Sequence, residues 1–374
     1  MKSITQHAAP NVIAGVNFNV DRFKELFAWV NALSADSVQA LLLPNSYGLV
    51  MPFDGKSALE LVKEGNKIYL NRCSAITSGG GVIGIFESLT PTLELELPLD
   101  LKRTQVYTVT VEIDSRNRQA FGVTSQDLPE RKLSTLPSYQ LHIRMQEETL
   151  VPSHFLSIGK LVFEAEEWEL TNYISPCLHI GASKVLKDRL KTYDGNLNEL
   201  LKYLPSIIRQ TGNYNDKATL ELREFCVQIG SFLAQNAPSY HNLSIYDSPY
   251  RMIEIWNGLV SLSDFLLHRL KELPRQQFYE LLEYNAHGVA GIRFNAHQFE
   301  NIIGDYAKFR FEQEDILAAI EQTDKILEMI VPLLRSLSTK YQSTKKGAWE
   351  ETRVKEEPIT PKPPKPEESS HSTW

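Results

Sequence analysis

Apolar positions recur at two different periods along this chain, and the change of period falls near residue 178. Before it, short segments alternate apolar and polar residues, the pattern of half-buried strands. Residues 67–76 and 82–86 flank Ser78-Gly79-Gly80-Gly81, which reads as a hairpin. Residues 106–113 alternate Val, Thr and Glu, and Ser115-Arg116-Asn117 is predicted to turn the chain. Segments 139–145 and 156–170 add strands, with a tight turn predicted at Gly159-Lys160. One amphipathic helix precedes them, where Phe23, Leu26, Phe27 and Val30 follow the caps Asn19 or Asp21 at helical spacing. Strands at this spacing predict a β-sandwich or barrel-like domain over residues 1–178.

Beyond residue 178 the period lengthens. Leu186, Leu190, Tyr193, Leu197, Leu200, Leu204 and Ile207 are separated by alternating steps of four and three. Ile316, Ile320, Thr323, Leu327, Ile330, Leu334, Leu337 and Tyr341 repeat that alternation. Such a seam lets helices pack knobs into holes, either within one chain or between copies. A helix through Leu222, Phe225, Cys226, Ile229, Phe232 and Leu233 lies between them, as does one from Tyr250 to Leu270 that is apolar on more than one face. Together they predict a bundle of four long helices over 179–345. Asp194-Gly195, Pro205 and Pro332 are expected to kink or split these helices. Residues 346–374 alternate Pro with Lys and Glu, cannot build a core and are expected to be a disordered tail. The fold class expected is α+β, sheets first and helical bundle second.

Charge and cysteine use narrow the setting. A formal charge of −7 gives no broad basic footprint for nucleic acid. Cys73, Cys177 and Cys226 are few, odd in number and far apart, which fits a reducing compartment rather than a disulfide framework. The first residues lack the apolar core of a signal peptide, and no apolar run is long enough to span a bilayer. A cytoplasmic protein that reaches a membrane only through partners is the expectation.

Candidate chemistry is thin, and no catalytic, cofactor-binding or metal-binding residue is assigned. The glycine cluster at 78–84 lacks the Lys-Ser/Thr of a phosphate loop. Cys177 and His179 have no second ligand pair at metal-site spacing, and His287 and His297 match no helical His pair. Glu164, Glu166, Glu167 and Glu169 surround Trp168. Carboxylates on both faces of a strand read best as a solvated sheet edge, and next best as a contact for a partner, with Trp168 as its candidate. No nucleophile elbow or catalytic-cysteine signature is present.

The segment Tyr173-Ile174-Ser175-Pro176-Cys177-Leu178-His179-Ile180-Gly181-Ala182-Ser183 resembles the TssK family of type VI secretion baseplates. There a strand ending in Pro-x-Leu-x-Ile-Gly-Ala-Ser leads into the first helix of the neck, and Pro176, Leu178, Ile180, Gly181, Ala182 and Ser183 match in place. Pro ends the strand, Gly breaks it, and Ser183 or a neighbour can cap the helix. The family's opening Gly-x-x-Leu-x-Pro-x-His-Phe is echoed by Gly15, Phe18 and Phe23, while Val20 and Arg22 stand where the family has Pro and His. Phe18 and Phe23 thereby become partner-binding candidates. Ser248-Pro249-Tyr250 opens a helix that resembles the family's second neck hairpin.

The resemblance implies a non-enzymatic homotrimer in a cytoplasmic baseplate at the inner membrane. Its shoulders would bind the wedge proteins TssF and TssG, and its necks would point toward an envelope-spanning complex. The family's β-rich head after the neck has no counterpart ahead of the Pro/Lys/Glu tail. The expectation is therefore a divergent, headless version, of the kind Bacteroidetes-type systems would use. Two rivals remain open: a baseplate or receptor-binding-like part of a phage or extracellular injection system, and a ligand-binding β-domain with a helical oligomerisation module.

Overall fold

The structure, a computed structural model, describes residues 20–42, 46–52, 54–87, 90–124, 132–145, 153–286, 295–339 and 341. Phe18, the segment 287–294 and the tail 346–374 lie outside the described residues. Helix α1 (Val20–Leu41) comes first among the described residues, as its apolar spacing predicts, and carries Phe23. It meets the glycine hairpin closely: a Cβ on Gly80 would stand 2.2 Å from the Ala35 carbonyl, and Gly80 has φ +80°.

Two antiparallel sheets follow. In the first, β3 (Lys67–Ile76) is the spine. Strands β1 (Gly48–Leu49) and β2 (Leu59–Glu64) pair along one of its edges; β4 (Val82–Ile85) and β5 (Leu93–Glu96) pair along the other. The hairpin predicted around residues 78–81 is the β3–β4 connection. The second sheet has the order β7-β6-β8-β9, built from β6 (Tyr107–Thr124), β7 (Lys132–Met145), β8 (Phe155–Glu164) and β9 (Glu167–Leu170).

Two sequence expectations fail here. Ser115-Arg116-Asn117 does not turn the chain: β6 continues past it, and the pairing with β7 skips from Asp114 to Arg118. The inserted residues are absorbed as a bulge, which a sheet tolerates while its flanking pairs persist. Gly159-Lys160 is not a turn either but lies inside β8. A Cβ on Gly159 would come within 2.8 Å of Leu61 in β2, so the glycine is where the two sheets approach each other. The true reversal is at Ala165 and Glu166, with φ +48° and +69°. Glu166 is thus a turn residue, whereas Glu164 and Glu167 pair across the hairpin.

The helices are α2 (Lys184–Thr211), α3 (Lys217–His241), α4 (Pro249–His268), α5 (Glu272–Ala286), α6 (Ala296–Lys308) and α7 (Ile316–Thr339). The four long ones are where the periodicity puts them; α5 and α6 are additional. Pro205 and Pro332 lie inside continuous helices, and α2 runs unbroken through Asp194-Gly195. The expected splits are absent because apolar faces on both sides of each proline are buried, and that burial outweighs one lost backbone bond. Helix α4 buries Met252, Ile255, Trp256, Leu259 and Leu266 on several sides, as an all-round apolar helix must. Asp216 caps α3 through the Thr219 N–H at 3.0 Å, and Asn295 caps α6 through the Gln298 N–H at 3.1 Å.

Candidate functional site

One apolar cluster runs from the sheets into the bundle, through Leu49, Cys177, Ile180 and Leu186. The segment that resembles the TssK motif crosses at this point. Leu49 in β1 forms a parallel bridge with Cys177, flanked by Leu49 N–H to Pro176 O at 2.7 Å and Leu178 N–H to Leu49 O at 2.9 Å. Gly48 makes that approach possible: its φ is +116°, and a Cβ would lie 2.1 Å from the Pro176 carbonyl oxygen. The passage then forms a short 3-10 turn, Ile180–Ala182, before α2. Ser183 stands at the N-cap position, but its hydroxyl makes no capping bond.

The α3–α4 connection grips this turn. Ile180 N–H donates to Asp247 O at 2.8 Å and Gly181 N–H to Ile245 O at 2.7 Å. A side chain at Gly181 would strike the Met51 sulfur at 2.6 Å and Ile245 O at 2.9 Å. The glycine of the motif is therefore a packing requirement. The Met51 N–H donates to His179 Nδ1 at 3.4 Å, and burial holds the His179 imidazole below its ordinary pKa, against a smaller opposing pull from Asp247. Burial works against the Asp247 carboxylate too. The Ser244 N–H and hydroxyl, at 2.8 and 3.0 Å, together with Arg251, outweigh it and hold that pKa below the carboxylate norm.

A second 3-10 turn, Gln313–Asp315, brings the start of α7 to the same place. The buried Gln313 amide donates from Nε2 to Tyr47 O at 2.8 Å and to Cys177 O at 2.6 Å. Tyr47 donates its hydroxyl to Glu314 Oε1 at 2.8 Å, and Tyr173 donates to the Glu314 carbonyl at 3.2 Å. Burial and then the Glu314 charge raise both phenols well above their ordinary pKa, so both stay protonated donors. Sequence reasoning singled out none of Tyr47, Gln313 and Glu314, because each is a polar residue in a short irregular segment with no periodic signal.

The seam residues are consumed within one chain. Leu186, Tyr193, Leu197, Leu200, Leu204, Ile207, Ile316 and Leu337 have no exposure, and Ile320, Leu327, Ile330 and Leu334 are buried; Leu190 is half-buried against them. Tyr193 bridges the two seams by donating to Asp324 Oδ1 at 2.9 Å. Trp168 is half-buried, edge-on to Tyr107 and Phe163 at 5.5 and 5.3 Å. Glu166 at the neighbouring turn is exposed and paired with Arg103 at 3.3 Å.

Burial pushes the thiols of Cys73, Cys177 and Cys226 up to about 12, the opposite of an activated nucleophile. Among the described residues no group of three or more His, Cys, Asp or Glu side chains could hold a metal ion. A cavity of about 20 Å³ inside the bundle, walled by Phe225, Leu259, Phe278 and Phe299, has room for roughly one water. No helix among the described residues is long and apolar enough to cross a membrane.

No family model and no curated protein matches the chain. Solved structures do. A crystal structure of TssK aligns over 90% of this chain and 71% of its own length, with TM-score 0.52 at 13% identity. The structure of a type VI secretion TssK–TssF–TssG baseplate subcomplex aligns over 86% of this chain and 99% of the matched one, with TM-score 0.43 at 16% identity. A type VI secretion baseplate complex aligns over 88% and 98%, with TM-score 0.43 at 17% identity. Paired antiparallel sheets, the Pro176–Ser183 passage and the helical bundle follow one another along a single chain, and that chain has the fold of TssK.

Proposed function

We propose that this protein is a structural component of a type VI secretion baseplate, working as a homotrimer in the cytoplasm. In this reading residues 1–178 form a shoulder that binds the wedge proteins TssF and TssG. Residues 179–345 form a neck directed toward the envelope-spanning complex, and 346–374 form a tail. Its work is geometric: trimers hold the wedges in register for the contractile sheath. The observation that carries this reading is the fold shared with TssK over 90% of the chain, with the junction motif at the crossing from sheet to helix. Fold alone does not specify function, and it is the motif's position that narrows the reading.

The seam residues are already buried within one chain, so contacts between copies fall to other faces. Exposed Leu220, Phe265, Leu273 and Tyr284 on the helices are the candidates. Cross-linking in the native cell, followed by affinity capture and mass spectrometry, should return TssF and TssG as major neighbours. Light scattering should give three times the chain mass. Recovery without either wedge protein, or a stable monomer at micromolar concentration, would overturn the corresponding half of the reading.

A further inference from the structure

Among the described residues, no strand in either sheet packs extensively on helices α2–α7, so few of their contacts fix the orientation of the bundle against the sheets. The chain passes from β9 to α2 once, through residues 171–183, and that passage is itself tied to the sheet by the Ser175 hydroxyl on Ile158 O at 3.2 Å. The start of α7 has no such covalent tie. Its hydrogen bonds to the sheet side converge on two adjacent residues: Gln313 to Tyr47 O and Cys177 O, and Glu314 to the hydroxyls of Tyr47 and Tyr173.

We propose that Gln313 and Glu314 are the positioning residues of the joint, a two-residue pin that sets and stiffens the angle between the sheets and the helical bundle. Gln313 is suited to this because its amide has one productive orientation. Turned over, its oxygen would face two carbonyl oxygens and both bonds would be lost. Glu314 complements it by accepting from two tyrosines through different groups, one on the carboxylate and one on the main-chain carbonyl. Moving the start of α7 away from the sheet side therefore breaks both bonds. Burial, 3% exposure for Gln313, keeps water from replacing these bonds while the joint is closed. This inference concerns the joint within one chain and stands whatever the protein assembles with.

Site-directed spin labels test it in the full chain. The three native thiols are buried, so Glu60→Cys on β2 and Gln228→Cys on α3, both exposed, can be labelled selectively. Gln313→Met, similar in volume but without the donors, should at least double the width of the distance distribution between them. Amide exchange in 46–49 and 174–180 should rise about tenfold or more, while the centres of β6 and α3 stay protected. Glu166→Gln, at an exposed turn outside the joint, should keep the native width. An unchanged width in Gln313→Met, or exchange that rises equally throughout the molecule, would overturn the assignment. Should Gln313→Met not fold, Tyr47→Phe decides the matter: a broadened distribution supports the pin, and a native one refutes it.

Discussion

The Tyr47 hydroxyl donates a 2.8 Å hydrogen bond to the Glu314 carboxylate, joining residues 267 positions apart in the chain. An ionised acceptor makes this bond stronger than the parallel one from Tyr173, which reaches a neutral carbonyl at 3.2 Å. Tyr47→Phe should therefore cost about 1.5–3 kcal/mol and Tyr173→Phe about 0.5–1.5 kcal/mol. Urea unfolding of the two variants under one set of conditions checks the order; a reversed order would mean that the carboxylate is not the stronger partner.

Two glycines of the junction and one of α2 should answer oppositely to alanine. Gly48→Ala places a methyl within 2.1 Å of the Pro176 oxygen at φ +116°, and Gly181→Ala drives one into Met51 and Ile245. Each should destabilise by about 3 kcal/mol or more, since neither main-chain carbonyl can move without breaking a backbone bond. Gly195 sits mid-helix with open space around the absent Cβ. Gly195→Ala should raise stability by about 0.5–1 kcal/mol. Thermal melts of the three variants separate these signs directly.

Acid should loosen the junction in two windows. The His179 pKa is lower folded than unfolded, so the unfolded chain binds more protons as pH falls. That part of the stability is present above the ordinary histidine value of 6.5 and is lost as pH falls through the folded value. Asp247 is also lower folded than unfolded, so its contribution persists until pH falls below about the ordinary 3.8. His179→Asn should flatten the melting temperature between pH 7 and 5 and leave the decline below pH 4 in place. Parallel curves for the variant and the parent across pH 7–5 would remove His179 as the cause.

Much of this architecture can be read from the chain because burial follows period. The steps of four and three from Leu186 to Ile207 and from Ile316 to Tyr341 mark the faces that α2 and α7 bury, and alternation over 67–76 marks the spine of the first sheet. Local breakers mislead where tertiary packing overrules them. Pro205 and Pro332 stay within helices, and Gly159 serves sheet contact rather than a turn. Helices α5 and α6 are short, 15 and 13 residues, so any periodic stretch in them spans fewer turns than the seams do. The polar grip of Gln313 and Glu314 on Tyr47 has no sequence signature at all, since it depends on two irregular segments meeting in space. The motif around Gly181 is legible as a pattern, but its reason is visible only in the crowding by Met51 and Ile245.

A scaffold and an enzyme respond differently to the same pair of substitutions. Leu200 has no exposure and lies on the seam of α2, so Leu200→Ala should cost about 2–5 kcal/mol. Leu200→Asp adds an unpaired buried charge and should leave little folded protein, with loss of any assembly that depends on the bundle. Glu166 lies at an exposed turn with a single surface ion pair to Arg103. Glu169 is on the edge strand β9 opposite Val162. Glu166→Gln and Glu169→Gln should change stability by less than about 0.5 kcal/mol, because exposed pairs contribute little. Secretion measured in cells carrying each variant, with protein level checked by immunoblot, gives the decisive comparison. A scaffold loses function with Leu200→Asp and keeps it with both glutamines. A Gln variant that accumulates and assembles normally yet abolishes secretion would point instead to chemistry at the Trp168 hairpin. A Gln variant that loses only its wedge partner would make the Trp168 hairpin part of the contact surface.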